Sequence, residues 1–395
     1  MKYKLIQSFL LVFCLLCFAG CHSGQEKEPG FSQSDKVEIE RTCTEIALLY
    51  QDLYLNSDKA PASSSEGTPE LTQAGIDAIE NFLASEGYCV IDSEPPYPSH
   101  LENPQKLYAF WNQMQAGEEA QFSIIQLSQS GGFSYCVFRY QSGKGEYCGV
   151  DIKWDEANEP YTTLWEEHDI IDLELTENGR FYYQILPTDV HYSDYIMIRL
   201  TPTDKALYDL TMKYILPIGY RTVNLFLCDW TEENYGDLSF NDLFEYLYAM
   251  QTGTAPDPDQ FTYPEGISYY QIPASLFEGT ILPYFNISLE AFREAAAYHP
   301  DGDFYPWATF YYKWGGWYPM VEPEVTACTA NSDGTLTLEV TVCSPDVKLD
   351  CIFSHEVTIR PTEGGFQFVS NRITSQSEYG LPSSYPRLPE ETRKK

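Results

Sequence analysis

Between Asp301 and Tyr318 the chain reads DGDFYPWATFYYKWGGWY. Trp307, Trp314 and Trp317 stand close to Asp301 and Asp303 there, and the residue types suit carbohydrate recognition. Indole faces stack on the C–H faces of a sugar, and carboxylates accept its hydroxyl hydrogens. Glycoside hydrolysis asks for more, namely two carboxylates about 5 to 9.5 Å apart. Nothing in the spacing fixes such a pair. The plainer reading, and the weightier one, is that these rings pack helices onto a sheet, with Gly315-Gly316 allowing close approach. His168, in Glu166-Glu167-His168-Asp169, reads as a solvated charged turn. His355 alternates onto the face of Phe353, Val357 and Ile359 and reads as a satisfied core residue. Gly-x-Ser-x-Gly, the phosphate-binding loop, His-Glu-x-x-His and the twelve-residue calcium loop do not occur. The sequence assigns no catalytic residue, no metal-ligand set and no cofactor.

A different chemistry is written at the beginning of the chain. Lys2 and Lys4 precede an apolar run from Leu5 to Phe18, interrupted by Gln7 and Ser8. It ends in Phe18-Ala19-Gly20-Cys21, with a polar stretch after it. Two small residues before a cysteine resemble the lipobox of bacterial lipoproteins, with Phe18 where leucine is more usual. The resemblance implies a signal peptide over 1–20, acylation of Cys21 with palmitate-type chains, and a body held at the extracytoplasmic face of the cell membrane. The membrane is then met through the lipid on Cys21. The run is too short for a transmembrane anchor, which needs about 20 apolar residues.

Composition narrows the partners. Across 395 residues, Lys plus Arg is 24 and Asp plus Glu is 58, a net charge of −34. Such acidity argues against nucleic acid, whose phosphates must be neutralised by basic side chains. Solubility through self-repulsion explains the acidity more simply than a divalent cation does. Of 11 cysteines, Cys14, Cys17 and Cys21 belong to the leader and its end, which leaves eight. In an exported protein an even number admits disulfides, with on the order of a hundred full pairings. Hairpin geometry favours two. A three-residue loop at Gln141-Ser142-Gly143 sets Cys136 opposite Cys148, and a five-residue loop from Pro345 to Leu349 sets Cys343 opposite Cys351. Buried free thiols are the alternative.

These residues must be positioned by elements, and the hydrophobic period supplies them. Residues 21–35 read as a flexible tether. Helical stripes follow at Val37 to Leu55, from Thr72 to Glu86 and at Asn103 to Gln115. The period then changes to two, with strands at Gln121 to Ser128, Phe133 to Tyr140, Tyr147 to Asp155, Ile170 to Thr176, Arg180 to Leu186 and Tyr195 to Leu200. Helices return from Thr203, and four strands close the chain between Glu324 and Ile373. The expectation is an α+β fold of two lobes, each of helices packed on an antiparallel β-meander. The N-terminal lobe covers 36–200. The C-terminal lobe covers 201–375 and ends in a four-stranded sheet. Residues 376–395 read as a disordered tail.

The segments IPASLFEGTILPYFNIS (Ile272 to Ser288), PEVTACTANSDGTLTLEV (Pro323 to Val340) and SHEVTIRP (Ser354 to Pro361) resemble an uncharacterised lipoprotein family of clostridial-type Gram-positive bacteria. FWNQM (Phe110 to Met114) and LSFNDLFEYLY (Leu238 to Tyr248) are similar too, so the resemblance spans about Leu71 to Ile373. It implies export and carries over no catalytic residue. The functional expectation is a lipid-anchored, extracytoplasmic, non-enzymatic protein that binds a protein or glycan of the cell envelope. A glycan-binding protein or cell-wall hydrolase using residues 301–318 is the alternative. A solute receptor is a third reading, weakened by meanders where alternating strands and helices would be expected.

Overall fold

In the computed structural model, residues 30–60, 70–93, 98–186, 195–309, 319–383 and 386–393 are described. The leader, Cys21, Trp314 and Trp317 lie outside them. The fold is mixed α+β, with sheets that are mostly antiparallel.

The first helix, α1 (Gln33–Asn56), opens on a capping box. The Ser32 side chain accepts from the Asp35 N–H, and the Asp35 carboxylate accepts from the Ser32 N–H at 2.8 Å. The tether expected through residue 35 is therefore already folded from Gly30. Phe31 is buried, because the Arg139 guanidinium lies over its ring and also holds Asp35. A short ladder, β1 (Lys59–Ala60) with β2 (Glu70–Leu71), leads to α2 (Gln73–Ser85), capped by Thr72. Then come β3 (Val90–Asp92) and α3 (Gln105–Gln115). A meander follows: β4 (Ala120–Leu127), β5 (Phe133–Gln141), β6 (Lys144–Trp154), β7 (Pro160–Leu175), β8 (Arg180–Ile185) and β9 (Ile196–Arg199).

Strands β3 to β9 form one seven-stranded sheet in chain order, and β3 pairs parallel to β4 across α3. Strand β7 begins ten residues before the expected Ile170, at Pro160. His168 therefore stands in a strand, half-buried, rather than in a charged turn. Period-two alternation gives this sheet two apolar faces. One face, with Val90, Ile125, Val137, Cys148 and Val150, is covered by Cys43, Ile46 and Tyr50 of α1 and Ile76, Ile79 and Leu83 of α2. The other, with Phe122, Cys136, Phe138, Phe181 and Ile198, closes on Leu107 and Phe110 of α3. A short segment joins the two edge strands. The Leu101 N–H donates to the Arg199 carbonyl at 2.8 Å, and the Glu102 N–H donates to the Val90 carbonyl at 2.9 Å. The sheet thus curls around α3.

The expected Cys136–Cys148 facing does not occur. Gln141 pairs with Lys144 across a two-residue turn at Ser142 and Gly143, both at positive φ. This register sets Cys136 opposite Gly149 and Cys148 opposite Val137, so the two thiols lie on opposite faces. Cys343 and Cys351 also miss each other. A bulge interrupts the pairing between Val342 and Ser344, leaving Cys343 buried and Cys351 exposed. All four are free thiols.

The second half holds α4 (Lys205–Leu210), which runs into a π-turn over Thr211–Ile215, then β10 (Trp230–Thr231) and α5 (Phe240–Thr252). Next are β11 (Tyr270–Pro273), α6 (Ala274–Ile281), α7 (Leu289–Ala295) and β12 (Phe304–Trp307). The last strands are β13 (Glu322–Ala330), β14 (Leu336–Ser344), β15 (Leu349–Thr362) and β16 (Gly365–Gln376). The sheet expected to have four strands has five, because Trp230 and Thr231 add an edge beside β16. The tail is partly docked as well. Arg387 is held by Glu245 at 2.8 Å, Leu388 is buried, and α8 (Glu390–Arg393) follows.

One face of this second sheet forms a core with α5, α6 and α7. His355 lies within it, 1% exposed. The Asn371 Nδ2 donates to the Cys228 carbonyl, so its Oδ1 is left to accept from His355 Nδ1 at 2.7 Å. Nε2 is then bare and accepts from the Tyr220 hydroxyl at 2.8 Å. The ring is a neutral member of a satisfied core network, and burial pushes its pKa from 6.5 down to about 4. Between those values the unfolded chain binds the extra proton, so stability falls as pH drops through the window. In urea unfolding, wild-type stability relative to His355→Gln should be greatest above pH 7 and shrink by about 3 kcal/mol down to pH 4.

Candidate functional site

The aromatic stretch is only partly a surface. Trp307 ends β12, which pairs with β11, and this places its indole against Phe244, Phe261 and Tyr270 at ring separations of 5.5, 6.0 and 5.6 Å. The ring is 1% exposed and belongs to the second core, so it offers no stacking face. Asp301 and Asp303 are exposed, and the Tyr298 hydroxyl donates to Asp303 Oδ1 at 2.8 Å. The structure therefore does not bring Trp307 together with these carboxylates at a common surface.

A better-formed concavity lies where the two sheets meet. Strand pairing places Arg180 on β8 opposite Arg199 on β9, and Tyr182 opposite Met197. Phe181 and Ile198, the alternate residues, point into the core around α3. The arginine face is thereby turned toward β13 of the second sheet. The Glu324 carboxylate answers both guanidinium groups. It accepts from Arg199 through both oxygens, at 3.1 and 2.8 Å, and from Arg180 at 2.9 Å. Asp350 holds Arg180 from the other side at 2.9 Å and also takes the Thr176 hydroxyl and the Asn178 N–H. Lys348, at the turn before β15, reaches back to Asp172 at 2.5 Å and Glu174 at 2.8 Å.

Beside this network opens a cleft of about 480 Å³. Its polar lining includes Asp92, Gln126, Arg199, Glu322, Glu324 and Cys343, and its apolar wall includes Ile196, Met197, Tyr208 and Leu216. The Asp92 carboxylate accepts from Gln73 at 2.9 Å. Behind it, Glu80 accepts from the Asp92 N–H, and burial pushes the Glu80 carboxyl up to about 7. Glu322 is exposed, and the surrounding walls raise its pKa against the pull of Arg180 and Arg199. Burial pushes the Cys343 thiol up to about 11, which keeps it protonated and unreactive at neutral pH. The Tyr182 hydroxyl, on the same face as Met197, is buried with no hydrogen-bond partner among the described residues.

Sequence reasoning missed the ion pairs between the two sheets because each spans more than 120 positions, Arg199 to Glu324 being 125 apart. A signal was nevertheless present. Arg180 and Arg199 each stand in an otherwise apolar strand, and a buried arginine demands a carboxylate. Among the described residues there is no cluster of His, Cys, Asp and Glu that could hold a metal ion. Among them, too, no helix is long and apolar enough to cross a membrane.

The sequence over residues 36–387 matches a family of unknown function, DUF6070, and the chain belongs to that family. No curated protein and no solved structure matches it.

Removing Glu324 leaves two adjacent, mostly buried guanidinium groups without their shared counter-charge. Glu324→Gln should cost about 3 kcal/mol of stability by chemical denaturation. Tyr182→Phe should be neutral or stabilising, because it removes a buried hydroxyl that has no partner.

Proposed function

We propose that this chain is a lipid-anchored binding protein of the extracytoplasmic cell surface. The observation that carries the reading is Phe18-Ala19-Gly20-Cys21 at the end of an apolar run that follows Lys2 and Lys4. In this reading residues 1–20 are a signal peptide and Cys21 carries diacylglycerol and a palmitate-type chain. Two or more acyl chains hold a protein stably, whereas one holds it marginally. The capping box at Ser32 supports it by starting the folded body about ten residues beyond Cys21, close enough for a short spacer. A role in binding, rather than catalysis, fits the candidate site. Arg180 and Arg199 are committed to Glu324 and Asp350, and the Cys343 thiol is held protonated. The cleft volume also lies within the roughly 300 to 1,000 Å³ usual for small-molecule sites. The glycan reading at residues 301–318 loses Trp307 to the core and is not preferred.

The anchor is tested by expressing the full chain in a bacterium that processes lipoproteins. The wild type should sediment with membranes, resist high salt, dissolve in detergent and incorporate labelled palmitate. Cys21→Ser should lose the label and leave the membrane fraction. Retention of the unlabelled variant in membranes would sink the lipoprotein reading.

A further inference from the structure

We infer that the inter-lobe cleft takes a small amphipathic ligand with a cationic head, an amine or guanidinium on an apolar body, whose charge is met by Glu322. The inference rests on the reading of the chain as a binding protein and names the chemical class of its ligand.

Three observations carry it. The first concerns the charges on the cleft wall. Arg199 is the basic residue of the lining, and both of its terminal nitrogens are engaged by the two oxygens of Glu324. The Nε–H of Arg199 is left without a partner among the described residues, but an anion that accepted from it would sit beside three carboxylates, Asp92, Glu322 and Glu324. The second concerns Glu322. Glu324 is satisfied by the two arginines, and Asp92 is engaged by Gln73. The Glu322 side chain lines the cleft, is exposed to solvent and makes no hydrogen bond or ion pair among the described residues. A carboxylate in that position gains most from a cation that brings its own hydrogen-bond donors. The third concerns the apolar wall. Ile196 and Leu216 are 40% and 41% exposed, and both line the cleft with Met197, Tyr208 and Pro323. An apolar ligand body covers them and removes that surface from water. Charge at one end and aliphatic wall at the other together select an amphipathic cation over an inorganic one.

The test uses three probes of matched shape: 4-phenylbutylamine, 4-phenylbutanol and 4-phenylbutyrate. They are titrated by calorimetry or ligand-observed NMR into the full-length chain carrying Cys21→Ser, so that no lipid competes for them. The amine should bind about tenfold more tightly than the alcohol, and the carboxylate should bind more weakly than either. Adding Glu322→Gln should erase the preference for the amine without weakening the alcohol. Adding Ile196→Trp, which fills the cleft, should abolish binding of both. The comparison of the three probes on the otherwise unaltered chain stands even where a variant fails to fold. Equal binding of amine and alcohol, or preference for the carboxylate, overturns the cationic class and leaves the cleft as a site when Ile196→Trp still blocks it. Absence of any binding that Ile196→Trp removes overturns the cleft as well. Neither outcome touches the lipid anchor, which membrane fractionation reads separately.

Discussion

Arg180 and Arg199 face each other across adjacent strands because the register of β8 and β9 permits nothing else. Like charges directly opposite in a ladder repel, and these two are also largely removed from water. Shifting the register by one residue would relieve them only by turning Phe181 and Ile198 out of the core, which the hydrophobic pattern forbids. The remaining solution is to bring a carboxylate between them. Glu324 does so from β13 of the second sheet, and Asp350 on β15 holds Arg180 from its other side. The mutual placement of the sheets follows from this charge constraint. Buried charges cannot be left unpaired, so the two halves must meet along β8, β9 and β13.

The curl of the first sheet supplies the other boundary of the cleft. A flat seven-stranded sheet would hold β3 and β9 far apart at its two edges. The backbone bonds of Leu101 and Glu102 tie both to one segment, while the rings of Phe122, Phe138 and Phe181 pack around α3 inside. Asp92 on β3 and Arg199 on β9 consequently line one concavity although 107 residues separate them. The cleft is therefore a product of long-range curvature rather than of any local motif.

That origin explains what could be read beforehand. The meander, the helices packed on it and the core position of His355 were legible because alternation and helical stripes are local signals. The hairpin register at Ser142-Gly143 was misread by one residue. Loop length there depends on whether the backbone takes two positive φ angles in succession, and Ser142 does not announce that it will. Strand β7 was entered late because Glu166-Glu167-His168-Asp169 looks like a turn. In the sheet these residues lie opposite Gly149, Cys148, Tyr147 and Glu146; Gly149 leaves room for the Glu166 side chain, and the His168 ring stacks on Tyr147. The tail was taken for disordered because its composition is polar, yet Arg387 finds a pocket made by Glu245, Thr222 and the Tyr246 ring. Trp307 was read as one of two things, surface or core. Pairing of β12 with β11 decided for core, and no local pattern reports which.

The charge balance gives these placements a further consequence. The chain has 24 basic residues against 58 acidic ones, and many of the basic ones are tied internally: Arg139, Arg180, Arg199, Lys348, Arg360 and Arg387 each hold a carboxylate. Each such pair is neutral, so the net charge of −34 is carried by the remaining groups, among which acidic side chains predominate. Such a body is repelled by anionic lipid headgroups, and electrostatics cannot hold it at a membrane. The attachment through acyl chains that we propose would not depend on such electrostatics. The same field draws cations toward the surface and raises their local concentration at any cleft whose walls exclude water. The proposed anchor and the proposed cationic ligand thus both answer to one property of the sequence, its acidity, with Arg180, Arg199 and Lys348 joining the two sheets.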